Sequence, residues 1–152
     1  MSGVKVFVDT NFINKSYEKK DLFIELSENI EKRLNSKVSK QKVYDALIKR
    51  ELESTTGFEN SFAIPHGAVD SIENPYIFFF RLNNEVEWQA LDNKKIKCVF
   101  LLLIASGGKN NKEHLKVLSK LSYNLLDKDF QKDIKNSKDD SSIKLSIEKI
   151  IK

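Results

Sequence analysis

The chain has 152 residues, 40% of them hydrophobic, and a formal net charge of +4. That is the length of one ordinary domain of about 100–150 residues, large enough to bury a core without staples and too apolar for disorder. A lone cysteine, Cys98, excludes an internal disulfide framework or a cysteine-rich zinc site and fits a reducing cytoplasm. No apolar run reaches the ~20 residues of a membrane helix, and the N-terminus has no signal-peptide apolar stretch, so no direct membrane insertion is expected.

In chain order, Val4 to Val8 alternates apolar and polar residues as a short strand does. Lys19 to Leu34 is predicted helical, because Leu22, Leu26, Ile30 and Leu34 form one apolar stripe with Phe23 beside them. Ser39 is a natural N-cap for a second helix through Val43, Leu47 and Ile48 to about Leu52. Ser54-Thr55-Thr56-Gly57 is a turn cluster, and Ser61 to Gly67 reads as a short strand stopped by Pro65 and Gly67. Tyr76 to Leu82 is aromatic and apolar on both faces, as expected inside a covered sheet. Asn83-Asn84 is predicted to turn the chain, with Val86 and a half-buried Trp88 in a short edge strand. Ile96 to Ala105 is too short for a membrane and reads as a central strand covered on both sides, ended by Ser106-Gly107-Gly108. Lys112 to Leu126 is predicted to be a helix with Leu115, Val117, Leu118, Leu121 and Leu125 inward. Two shorter helices follow, over Asp127 to about Lys135 and Ser141 to Ile151, the last favoured by Asp139-Asp140-Ser141 at its start. Without repeats or Gly/Ser or Pro linkers, the expected architecture is one α/β domain over residues 1–152, a mixed central sheet of about five strands with helices packed on both faces.

The basic excess does not point to nucleic acid. Of 26 Lys and Arg residues only Arg33, Arg50 and Arg81 are arginines, and the lysines are dispersed among 22 acids. Base and phosphate recognition relies on the bidentate guanidinium fork, so a solvated lysine surface is the expected reading.

Chemistry-bearing residues are few. His66 stands between Pro65 and Gly67. Proline fixes its own φ and pushes Ile64 towards extended geometry, and glycine lets the backbone turn, so an imidazole is held at a strand end with little bulk after it. With one ring nitrogen on a backbone carbonyl and the other facing out, it is a competent nucleophile; otherwise it is a surface-turn histidine. His114 falls in the first turn of its helix, where N–H groups and positive potential suit a phosphate, or where it simply faces solvent. Arg50, near the end of the second helix, suits phosphate oxygens, with Glu51 or Glu53 as alternative partners. Cys98 reads as a small core residue. No Ser/His/Asp triad is assignable, Walker A spacing is absent, and Ser106-Gly107-Gly108-Lys109 reads as a loop.

Arg50-Glu51-Leu52-Glu53-Ser54-Thr55-Thr56-Gly57 running into Ala63-Ile64-Pro65-His66-Gly67 resembles the signature of enzyme IIA domains of the fructose/mannitol type, from the bacterial phosphoenolpyruvate-dependent sugar phosphotransferase system. The resemblance continues through Ala90-Leu91-Asp92, the Val99–Leu103 strand and Glu113-His114-Leu115, and covers roughly residues 15–150. It implies that His66 accepts a phosphoryl group from a histidine-containing phosphocarrier protein and passes it to an enzyme IIB component. His114 and Arg50 would stabilise the phosphoryl group. It implies a cytoplasmic phosphotransferase with a phosphohistidine intermediate, no cofactor and no metal. A stand-alone member can instead resemble the nitrogen-related branch, which signals through phosphorylation-dependent partner binding. Glu59 and Ser61 replace the small residues frequent in the family between turn and strand, and an acid at 59 would either weaken phosphate binding or hold His66.

Overall fold

Two apolar runs, 76–82 and 96–105, end up side by side in the middle of a sheet because each has apolar residues to bury on both faces. A computed structural model describes residues 3–107 and 111–152. Its elements in chain order are β1 (Lys5–Phe12), α1 (Lys19–Arg33), α2 (Lys40–Glu51), β2 (Phe62–Ala63), β3 (His66–Val69), β4 (Tyr76–Val86), β5 (Ile96–Ala105), α3 (Asn111–Asn124), α4 (Lys128–Asn136) and α5 (Asp140–Ile150). The five-stranded sheet runs β1-β4-β5-β2, with β3 also paired to β5. Pairing is antiparallel only between β4 and β5; β1 with β4, and β2 and β3 with β5, are parallel, so the sheet is mixed.

Strand side chains alternate between faces, and each face acquires its own helical cover. One core joins Phe78, Phe80, Val99, Leu101 and Leu103 to Leu22, Phe23, Leu26 and Ile30 of α1 and Val43 and Leu47 of α2. The other joins Ile77, Phe79, Cys98, Phe100, Leu102 and Ile104 to Val117 and Leu121 of α3, Ile134 of α4 and Ile143 and Ile147 of α5. The α/β class, the mixed five-strand sheet and helices on both faces are therefore as expected. Each fully buried Phe contributes roughly 1.5–3 kcal/mol, and Phe62, Phe78, Phe79, Phe80 and Phe100 are all at most 1% exposed.

Helix ends follow their capping residues. Ser39 Oγ accepts from the Lys42 N–H at 3.2 Å, and Asp139 accepts from the Ser141 N–H. Asp140, in the first turn of α5, also takes the Thr10 hydroxyl at 2.5 Å, which ties α5 to β1.

Several local expectations are corrected. Pro65 interrupts the strand over Ser61–Gly67 but does not end it, since pairing with β5 resumes from His66 to Val69. Gly67 provides no turn. A Cβ there would lie 2.8 Å from the Ala46 Cβ and 2.9 Å from its carbonyl carbon, so its absence lets α2 press directly on β3. Asn83-Asn84 does not turn the chain either, because the clamp between Asn84 and Asn14 (Asn84 N–H to Asn14 Oδ1 2.9 Å, Asn14 Nδ2 to Asn84 O 2.9 Å) supplies a tertiary partner. Trp88 lies beyond β4 and is 1% exposed, wedged edge-on against Phe23 at 5.3 Å. Leu115 faces outward at 43% exposure, while Val117, Leu121 and Leu125 are buried as predicted. Gly108 and Lys109 of the predicted loop lie outside the described residues.

Candidate functional site

His66 opens β3, the edge strand beyond β5. Its Cα pairs with that of Leu102, whose side chain belongs to the core beneath α3, so His66 shares that face of the sheet. Gly67 presents the opposite face to α2. Arg50 comes from the last turn of α2, where a cation is favoured by the helix dipole, and it meets the imidazole across the edge strand.

The half-buried imidazole is held at both nitrogens. Nδ1 lies 2.9 Å from the Ile64 carbonyl oxygen and Nε2 lies 3.0 Å from Arg50 Nε. A carbonyl can only accept and a guanidinium N–H can only donate, so Nδ1 carries the proton and Nε2 presents its lone pair. Burial pushes the His66 pKa below the ordinary histidine value; the Ile64 carbonyl opposes this, the Arg50 guanidinium adds to it, and the acids Glu51 and Glu53 oppose it. The net effect is a neutral ring at pH 7 with a lone pair directed at a cation. The surface-turn reading of His66 does not describe this ring.

Arg50 Nη1 donates to the Ser54 carbonyl at 2.8 Å, while Nη2 has no hydrogen bond to the described residues. Neither acid proposed as its partner engages it. Glu51 binds Lys19 Nζ at 3.1 Å and takes the Thr56 N–H at 2.8 Å, and Glu53 is exposed.

The strand before His66 is prepared by the Thr-Gly turn. Ile64 donates its N–H to the Thr56 carbonyl at 3.0 Å, and Gly57 bridges to Ala63. Gly57 must lack a Cβ, which would fall 2.8 Å from both the Ala90 Cα and Trp88 Cδ1. Ala90-Leu91-Asp92 thus acts as a clamp: Ala90 covers Gly57, and Asp92 accepts from the Asn60 N–H at 2.9 Å. Glu59 lies at the other end of β2 from His66, where its carbonyl accepts from the Phe62 N–H. Ile64 and Arg50, not Glu59, hold the ring.

His114, in α3, does not face solvent but is 3% exposed. Its Nδ1 accepts from the Ala105 N–H at 3.0 Å, which leaves the proton on Nε2 as a donor. His66 pairs with β5 at Leu102 and His114 is fixed to the same strand at Ala105, on the face that α3 covers. No hydrogen bond among the described residues joins the two rings. Arg50 and His66 are brought into direct contact; His114, in α3, is fixed to the backbone of β5, the strand that β3 pairs with, on the same face of the sheet. Cys98 is buried, and burial raises its thiol pKa, so it is inert. Sequence reasoning missed the backbone of Ile64 and Thr56; the signal was the Thr-Gly turn placed directly after the helix that carries Arg50.

The family model for the phosphoenolpyruvate-dependent sugar phosphotransferase system, EIIA 2, matches residues 7–150. The chain is 36% identical over 85 residues to the fructose-specific EIIA component of Haloferax volcanii, a match covering 56% of this chain and 54% of that protein. It is 33% identical over 101 residues to a nitrogen regulatory protein of Bradyrhizobium diazoefficiens, covering 66% and 65%. The matches thus span about half to two thirds of these relatives. Among solved structures, nitrogen regulatory protein IIA-Ntr of Neisseria meningitidis superposes with a TM-score of 0.77 at 27% identity over 96% of this chain and 93% of that one. The mannitol IIA of Escherichia coli superposes with a TM-score of 0.66 at 18% identity over 97% and 96%, a likeness of fold.

Proposed function

We propose, from the premise that the chain belongs to the EIIA 2 family of the phosphoenolpyruvate-dependent sugar phosphotransferase system, that it carries a phosphoryl group on Nε2 of His66. The observation that carries this reading is the two-sided grip on the ring, Nδ1 on the Ile64 carbonyl and Nε2 on Arg50.

The donor is a phosphohistidine on the histidine-containing phosphocarrier protein. The Nε2 lone pair of His66 attacks phosphorus; a new N–P bond forms as the donor's N–P bond breaks, and that electron pair stays on the donor nitrogen. No proton needs to leave His66, because the attacking nitrogen carries none. The Nδ1 proton, held by Ile64, keeps the phosphorylated ring a good leaving group for the second transfer, to an enzyme IIB component. Phosphoryl transfer of this kind is mainly positioning and charge stabilisation. Arg50 gives up Nε2 and turns to the phosphoryl oxygens, for which Nη2 is already available among the described residues. The Nε2–H of His114 is the second donor. Leu52, 78% exposed and two residues beyond Arg50, offers an apolar contact to a docking protein. No described helix is long and apolar enough to cross a membrane, and donor and acceptor of this class put the reaction in the cytoplasm. The chain acts as a single IIA domain in this reading.

The test is labelling with phosphoenolpyruvate, enzyme I and the phosphocarrier. An acid-labile, base-stable label is expected on the wild type and not on His66→Ala; a label that persists in that variant overturns the assignment. The similarity to nitrogen regulatory proteins favours a second reading, a module that binds partners according to its phosphorylation state. Transfer of the label to a sugar-specific IIB selects the transport reading, and failure of every IIB tried selects the regulatory one.

A further inference from the structure

Glu51 adjoins Arg50 in the chain but belongs to a different set of contacts. Its side chain is 6% exposed, and both carboxylate oxygens are engaged. Oε2 takes Lys19 Nζ at 3.1 Å and the Thr56 N–H at 2.8 Å; Oε1 takes the Thr56 hydroxyl at 2.5 Å. Thr56 in turn accepts the Ile64 N–H at 3.0 Å, and the Ile64 carbonyl receives His66 Nδ1 at 2.9 Å. Four groups therefore connect a buried carboxylate to the ring nitrogen that decides the tautomer. Thr56 is 8% exposed and Ile64 6%, so water does not readily substitute along this path. Lys19 is itself held to the Trp88 carbonyl at 3.3 Å, which anchors the carboxylate from the N-terminal end of α1.

We propose that Glu51 is a positioning residue for phosphoryl acceptance: by fixing the Thr56 backbone it sets the angle of the Ile64 carbonyl, and through it the tautomer of His66. This rests on His66 as the acceptor. A buried carboxylate suits the task because it accepts from the Thr56 N–H, the Thr56 hydroxyl and an ammonium at once. Glutamine keeps the shape but has one acceptor oxygen: with that oxygen on the Thr56 N–H, its NH2 faces the Thr56 hydroxyl and reverses that bond, and the short charge-assisted bond to the carboxylate is lost. The neutral variant also leaves the Lys19 ammonium with the Trp88 carbonyl but without a counter-charge.

The experiment uses the full chain with Glu51→Gln, Thr56→Val and Thr56→Ser, and Glu53→Gln as a control for bare charge. Nitrogen-15 NMR of the unphosphorylated protein reads the His66 tautomer and its titration, and phosphocarrier-dependent labelling reads kcat and KM. Glu51→Gln is expected to replace the single Nδ1–H tautomer by a mixture. Its kcat is expected to fall about 10- to 100-fold with KM little changed, as for a misplaced reacting atom. As the ring loosens, its pKa should rise towards the ordinary histidine value. A Glu51 acting only through its charge would do the opposite. Neutralising it would lower that pKa further, as in Glu53→Gln, and leave the tautomer intact; that result overturns the proposal. Thr56→Val keeps the Glu51–Lys19 pair and should shift the tautomer the same way, with Thr56→Ser restoring it. If Glu51→Gln does not fold, Glu51→Asp decides, because it keeps the charge but withdraws the carboxylate from the Thr56 N–H by one methylene: the wild-type tautomer and rate in that variant overturn the proposal. Because the tautomer is read without phosphate, a wild type that takes no label would overturn the carrier reading while leaving this readout intact.

Discussion

The hydrogen bond between Arg50 and His66 makes one residue both a guard of the lone pair and a brake on its protonation. The guanidinium lowers the affinity of Nε2 for a proton, in the same direction as burial, and in the proposed role the ring accepts a phosphoryl group only when neutral. Because the pKa in the native protein is depressed, acceptance should persist to lower pH than an ordinary histidine would allow and be lost as the pH falls through the lowered value. In Arg50→Gln one of the two depressing causes is gone, so the NMR titration of His66 should move upward and the acid limb of the rate profile should move with it. The rate at neutral pH should drop about 100-fold through loss of a preorganised donor. An unchanged titration with a full rate would remove Arg50 from the site. At this scale much was legible. Pro65 and Gly67 flagged His66, and the family resemblance assigned Arg50 to it. The burial of His114 was not legible, because it follows from a bond to the Ala105 backbone, which no local pattern encodes. Nor was Arg50's indifference to Glu51, whose partners Lys19 and Thr56 are brought together only by folding.

Among the elements, α2 and β3 matter most, since one carries Arg50 and the other His66. Their separation is set where Gly67 meets Ala46, one helical turn before Arg50. A methyl at 67 would meet the Ala46 carbonyl carbon at 2.9 Å and its oxygen at 3.0 Å, helix backbone that cannot yield cheaply. Gly67→Ala should cost about 1–3 kcal/mol in urea unfolding, as overpacking does. It should also slow phosphorylation, because α2 is pushed off the strand. Adding Ala46→Gly should recover part of both losses, and strict additivity of the two changes would show that this contact does not set the spacing. The same contact explains why a Pro-His-Gly sequence looked like the end of a strand. Proline and glycine signal breaks when only neighbours are considered, whereas here the Pro65 carbonyl still accepts from the Leu102 N–H at 3.0 Å and the ladder resumes. Asn84 and Trp88 were misjudged for a related reason. Asn14 and Phe23 are distant in sequence, and they turn a turn-former into strand and a half-buried edge residue into core. Periodicity did locate α1, α2, β4 and β5, whose apolar patterns are long enough to outweigh such contacts.

For the molecule as a whole, the decisive feature is that β4 and β5 send alternate side chains into both cores. The lysine-rich surface charge plays no comparable part. Pairs such as Lys42–Asp70 and Lys116–Glu113 are largely exposed, and pairs of that kind are worth about 0–1 kcal/mol. If the two cores are one cooperative unit, damage to the core beneath α3 must be felt in the core beneath α1. Trp88, the only tryptophan, lies in the second of these and reports on it by fluorescence, while far-UV circular dichroism reports on all the helices. Leu121→Ala removes a fully buried side chain from the opposite core and should cost about 2–5 kcal/mol. The expectation is that the Trp88 midpoint in urea shifts as far as the dichroism midpoint, the two curves staying superimposable in wild type and variant. A dichroism curve that moves while the Trp88 curve stays would mean that the helices beneath which Leu121 packs unfold on their own. The proposed phosphoryl site would then straddle two units, with His114 on one and Arg50 on the other, and a strand shared by both cores would not be enough to hold them at a fixed distance.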